Sequence, residues 1–178
     1  MSLYSATLVT GISLIVFGAS LILNFATLKK YLTAFPRSRY ATVILMGLAM
    51  AWFSHRIYNL GVSDFGNYKM LLMILFLGIT TASFYFVPDF LSVRALAGLV
   101  LLSADVLLEA AFMQTPAERL FLVTFVYFMI IFVFVIGASP YLMRDLIIWF
   151  YNKAIRVKTL AYILLGYGSF LVFVASNY

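Results

Sequence analysis

Three charged side chains, Arg56, Asp105 and Glu109, stand inside otherwise apolar stretches of this 178-residue chain, and they have the strongest claim to chemistry. A charge in the middle of an apolar span costs on the order of 3 kcal/mol, so such groups face protein or water and find partners. Asp105 and Glu109 are one helical turn apart on one face. Arg94, eleven residues before Asp105, projects in nearly the same direction, with Gly98 between them. Arg56 lies sixteen residues beyond Tyr40 and Asp105 fifteen beyond Phe90, so at about 1.5 Å per residue the two reach the same depth in helices that run the same way. One reading is a proton or cation path carried by Asp105 and Glu109 and tuned by Arg56 and His55. The other is a salt bridge that locks two helices. A path needs polar groups across the whole thickness, and below Asp105 the chain offers little beyond Arg94, which favours the lock.

His55 is the chain's one histidine, and there is no cysteine. A zinc site needs further nitrogen or sulfur ligands, so no metal site is expected, and disulfides, iron–sulfur clusters and cysteine nucleophiles are excluded. A histidine triad and a phosphate-cradling glycine loop have no support either. No cofactor can be named from these residues. His55 follows Trp52 and Phe53 and reads as part of an interfacial aromatic belt. The phrase Asp64-Phe65-Gly66 matches a kinase metal-binding motif in letters only, since every other kinase element is missing.

Phe121, Phe125, Phe128 and Phe132 recur at four, three and four residues and form an aromatic stripe on one helix face. Such a stripe suits a partner helix, a second copy or a flat lipophilic molecule, and it also suits plain lipid. Small residues four apart, Gly47/Ala51 and Gly78/Ala82, with Gly11/Gly18 and Gly166/Gly168, allow close helix approach and place the first, second, third and sixth spans inside a bundle.

The elements that must position these residues are six apolar stretches. Hydrophobic residues make up 65% of the chain and charged residues 10%, against roughly 25% charged in a soluble domain. A hydrocarbon core about 30 Å thick takes roughly 20 helical residues per crossing, so six crossings use the whole length as one membrane domain, residues 1–178. The stretches lack the alternation of barrel strands, and helices are the expected spanning element. The fold class expected is an all-α integral membrane protein with about six transmembrane helices. The spans run from about Tyr4 to Leu28, Tyr40 to Leu60, Met70 to Phe86, Phe90 to Met113, Leu120 to Gly137, and Thr159 to Ser176. Lys29 and Lys30 follow the first span rather than precede it, so it reads as a retained anchor and not a secretory signal. Gly61–Lys69 is the clearest turn. Asp89 is placed to cap the fourth span, and Ser139-Pro140 to start a new helix.

From Tyr141 to Lys158 the residues Asp145, Asn152, Lys153 and Arg156 fall on one side at about 100° per residue, opposite Ile147, Phe150, Tyr151 and Ala154. This predicts an amphipathic helix on the inner surface before the last span, with Arg144, Lys153, Arg156 and Lys158 toward lipid headgroups. With the amino terminus outside, nine of the twelve Lys and Arg fall on the inner side and Arg56, Lys69 and Arg119 on the outer. That bias predicts a multi-pass protein of a plasma (bacterial inner) membrane with both termini outside the cytoplasm. The net charge of +6 is therefore a topology signal, and nucleic acid is not an expected partner. Membrane mass and packing faces without a catalytic set point to a non-catalytic subunit or accessory factor of a larger membrane complex, with a membrane-protein partner or a homo-oligomer. The rivals are a small oligomeric proton or cation transporter and, behind it, a lipid-acting enzyme that uses Asp105 or Glu109 as acid–base groups.

Overall fold

A computed structural model describes residues 1–23, 25–61 and 65–178. Within the Gly61–Lys69 turn, residues 62–64, Asp64 among them, lie outside the described residues. The described residues are all-helical, without strands. Among the described residues the α-helical stretches run in order: α1 Leu3–Leu23, α2 Phe25–Ala34, α3 Arg39–Tyr58, α4 Lys69–Phe86, α5 Leu91–Ala111, α6 Arg119–Ala138, α7 Tyr141–Tyr151 and α8 Ala154–Ala175.

Among the described residues five segments are long and apolar enough to cross a membrane, α1, Gly66–Phe86, α5, α6 and α8, one fewer than the six expected. The second expected span exists as α3, 20 residues long, but it opens on Arg39 and its last turn holds His55 and Arg56, which dilute its apolarity. The loop expected to begin at Lys29 is also corrected: the described residues Phe25–Ala34 are helical as α2, which lays Phe25, Leu28 and Leu32 on the molecule and leaves Lys29 and Lys30 exposed.

Helices α1 and α8 form an antiparallel seam. Gly11 lies against Gly168 and Gly18 against Ala161, so seven residues down α1 match seven residues back along α8. A Cβ on Gly168 would sit 2.8 Å from the Gly11 carbonyl oxygen, a distance only glycine permits. Thr7 and Tyr178 consequently meet at one end, their hydroxyls 3.5 Å apart. There α1, α5 and α6 close a cluster of Leu3, Ala6, Ala104, Leu122 and Val126. At the other end Leu21, Ile147, Tyr151, Val157 and Ala161 join α1, α7 and α8, with α2 laid over them.

Helices α3 and α5 run parallel. Ser92, fully buried, donates to the carbonyls of Phe35 at 2.9 Å and Pro36 at 3.0 Å, which ties the start of α5 to the 3-10 turn Phe35–Arg37 before α3. Ser38 caps α3 by accepting from the Ala41 amide at 3.2 Å. Helix α4 leans on α3 through a Phe53–Phe76 ring contact at 4.5 Å and a Thr80 hydroxyl donated to the Met50 sulfur at 3.4 Å. No residue of α4 is buried.

Two expected helix starts are corrected. Phe90, not Asp89, precedes the first turn of α5, in the left-handed conformation at φ 58 and without a side-chain cap. Helix α7 begins at Tyr141, with Pro140 before its first turn and no side-chain cap from Ser139. The single amphipathic helix expected from Tyr141 to Lys158 is two pieces. It breaks at Asn152–Lys153, where Lys153 is extended at φ −134, ψ 120, and α8 starts at Ala154, five residues before the last span was expected. Ile147 and Tyr151 are buried as the pattern required, whereas Ala154 is exposed because it belongs to the next helix.

Candidate functional site

The parallel course of α3 and α5 carries Arg56 to the level of Asp105 and Glu109. One guanidinium nitrogen of Arg56 donates to Asp105 Oδ2 and lies 3.4 Å from Glu109 Oε2. The matched depth read from the sequence is therefore realised as a three-residue cluster in which one arginine serves two carboxylates, leaving a net charge of −1. The side chains are 37%, 60% and 70% exposed on the isolated chain, so the cluster sits on an open edge and not in a sealed core.

The edge belongs to a cavity of about 740 Å³ between α3, α4 and α5. Arg56, Asn59 and Asp105 line one end, and Met46, Met50, Phe53, Phe76, Leu101 and Leu102 line the body. Gly98 widens it, since nothing lies within 4 Å of where its Cβ would be. The volume is in the range of small-molecule and cofactor sites, and the pattern of an apolar body with a few polar groups at one end is typical of them. Along the cavity below Asp105 the one side-chain hydroxyl on the lining is that of Thr80, given to Met50.

His55 does not line this cavity. Asn59, which does, donates to the His55 carbonyl at 2.9 Å and lies 3.2 Å from its ring Nε2. Arg94 is half-buried, outside the cavity lining and without an ion pair among the described residues. The stripe from Arg94 to Glu109 is thus divided: Gly98 and Asp105 face the cavity, and Arg94 does not.

The phenylalanine stripe on α6 also divides. Phe121 packs edge-on to Phe170 of α8 at 4.8 Å, and Phe125 lies 5.8 Å from the Tyr167 ring. The Tyr167 hydroxyl donates to the Phe121 carbonyl at 2.9 Å, fixing this half of the stripe to α8. Phe128 and Phe132, further along, are exposed.

The four basic residues near α7 have separate situations. Arg144 pairs with its neighbour Asp145 at 2.8 Å. Arg156 lies 4.0 Å over the Trp149 ring and donates to the Trp149 carbonyl at 2.8 Å, bracing the break between α7 and α8. Lys153 and Lys158 are exposed. Among the described residues no three His, Asp or Glu side chains come together as a metal site.

The cavity lining on α4 was missed from sequence, because Phe76 and Thr80 sit in an apolar run whose orientation no charge marks. Ser92 was missed as well, and a lone serine at a helix start carries no signal of a long-range bond. Compared with known proteins, the chain matches no family model, no curated protein and no solved structure.

Proposed function

We propose that this chain is a non-catalytic, membrane-embedded subunit or accessory factor, and that it docks on another membrane protein through its α3–α4–α5 side. The observation that carries the reading is α4: an apolar helix of 18 residues with none of them buried, beside an open cavity, in a chain whose other apolar helices all bury residues. Membrane helices associate by close packing and interhelical hydrogen bonds, and α4 has little of either within its own chain.

A sixth crossing is part of the same reading, and parity supports it. The seam between α1 and α8 keeps the two chain ends on one side. Five crossings would separate them, and α3, parallel to α5 along its length, supplies the sixth. The end bearing α2, α7 and the starts of α3 and α5 holds nine of the twelve basic residues, which supports a cytoplasmic position for that end and both termini outside, in a plasma (bacterial inner) membrane.

The test is purification in mild detergent with the particle mass measured by native mass spectrometry. A second polypeptide in fixed ratio, lost when exposed Leu71 and Ile74 are both changed to alanine, is the expected result. A homo-oligomer would reassign the partner to a second copy, and a monomer carrying lipid alone contradicts the reading. A proton or cation path using Asp105 and Glu109 is the second reading, favoured by the exposure of both carboxylates at the cavity end. The apolar body of the cavity counts against it, and flux in liposomes sensitive to Asp105→Asn would restore it.

A further inference from the structure

Two slots flank the Phe35–Arg37 turn, at the end of the molecule away from the Arg56 cluster. The first, about 320 Å³, opens between the start of α3, the end of α4 and the start of α5, with Arg37 and Arg39 beside apolar walls of Val43, Phe84 and Leu91. The second, about 220 Å³, opens between the turn and α7, with Arg37, Arg144 and Thr33 beside Ile147 and Ile148. Arg37 lines both, its guanidinium 5.7 Å from the Phe90 ring. Neither Arg37 nor Arg39 makes an ion pair among the described residues, whereas Arg144 is shared with Asp145. The acidic groups near the slots are Asp145 and, by sequence, Asp89 next to Pro88, so three arginines outnumber two carboxylates.

We propose that these slots seat the phosphate of an anionic phospholipid, with Arg37 as the contact common to both. The guanidinium fork matches phosphate oxygens in pairs, which a lysine does not. The apolar wall beside each arginine matches an acyl chain leaving the headgroup, and a free phosphate ion has no use for it. On the orientation proposed above, the slots lie at the cytoplasmic surface, where basic pockets between membrane helices take such headgroups. Because two slots share one arginine, a lipid with two phosphates can occupy both, and it binds tighter than a lipid with one.

The experiment reconstitutes the full chain in nanodiscs of phosphatidylcholine doped with phosphatidylglycerol or with a bis-phosphate lipid, then counts lipid retained on detergent extraction by native mass spectrometry. The unaltered chain retains the bis-phosphate lipid over phosphatidylglycerol, and both over phosphatidylcholine. Arg37→Gln, at an exposed side chain, weakens anionic retention roughly five-fold, the effect of about one basic contact at a membrane surface. Arg37→Lys gives an intermediate loss, and Lys69→Gln at the opposite end gives none. Thermal stability in pure phosphatidylcholine confirms that each variant is folded. Equal anionic retention by the Arg37→Gln and unaltered chains overturns the proposal. Displacement of the lipid by millimolar inorganic phosphate also overturns it, since the site would then be one for the ion.

Discussion

The α1–α8 seam and the α3–α4–α5 side use the same residue types and reach opposite results. On the seam, Gly11 faces Gly168 and Gly18 faces Ala161, and an added Cβ at Gly11, Gly18 or Gly168 would meet a backbone oxygen at 2.8 to 2.9 Å. On the other side Gly47, Gly78 and Gly98 have nothing within 4 Å of the same point. A small residue permits close approach but does not bring it about, because the opposing helix must present a small residue at the matching level. The seam has matched pairs at two levels seven residues apart, and α4 has no such match within the chain.

The largest expected effect separates the two regions directly. Gly168→Ala places a methyl against backbone that cannot give way, and should cost roughly 1–3 kcal/mol, the usual range for overpacking. Gly78→Ala should cost nothing and can stabilise by up to about 1 kcal/mol, since the added methyl meets open space and alanine is the better helix former. Thermal unfolding in one detergent measures both, and equal losses would erase the distinction between the regions.

Next in size is the charged cluster, the main polar link between α3 and α5 at that end. Arg56→Gln leaves two carboxylates without their cation, so it should destabilise more than Asp105→Asn or Glu109→Gln, each of which leaves Arg56 with the other partner. Polar pairs between membrane helices couple by about 0.6 kcal/mol on average, and the exposure of this cluster argues for that scale. A double-mutant cycle that is strictly additive for both carboxylates would remove the cluster from any role in joining the helices.

Of similar size is the contrast within the α6 stripe. Phe125→Leu loses the Tyr167 ring contact and should cost about 0.5–1.5 kcal/mol, while Phe128→Leu, at an exposed position, should leave the isolated chain unchanged. If Phe128→Leu destabilises as much, that half of the stripe is packed in solution.

The smallest effect at neutral pH belongs to Tyr151, which is 7% exposed and whose hydroxyl has no hydrogen-bond partner among the described residues. Burial raises its phenol above the ordinary 10.0, so the neutral form is favoured in the folded chain. Its contribution is intact below the unfolded value and is lost as pH rises through the folded one. Tyr151→Phe should therefore be at least as stable as the unaltered chain near neutrality, since it removes an unpartnered buried hydroxyl, and should hold its stability better in alkaline unfolding above pH 10.0. Identical alkaline profiles would show that the hydroxyl is solvated.

Much of the fold was legible because long apolar runs without strand alternation favour helix, and the ends of α3, α4, α5 and α6 fall within two residues of the expected bounds. The Arg56–Asp105–Glu109 cluster was legible because rise per residue converts sequence position into depth. The break at Lys153 was not, since a periodic pattern counts residue types and runs on through an interruption of the backbone. Phe90 replaced Asp89 before α5 for a related reason. Capping preference is local, whereas Phe90 is held in its left-handed turn with its carbonyl accepting from Val93 at 3.0 Å and its ring under Arg37. The openness around α4 was invisible because its small residues are of the same types as those of the seam, and sequence does not show what faces them.

Completion of the α3–α4–α5 side by another membrane protein, as proposed above, can be tested directly because the chain has no cysteine of its own. Single cysteines at Ile74 on α4 and at Ile163 on α8, both exposed, would carry a photoactivatable crosslinker in native membranes. A partner on that side gives a discrete polypeptide adduct from Ile74 and none from Ile163. Lipid adducts alone from both positions, in equal measure, would contradict the proposal.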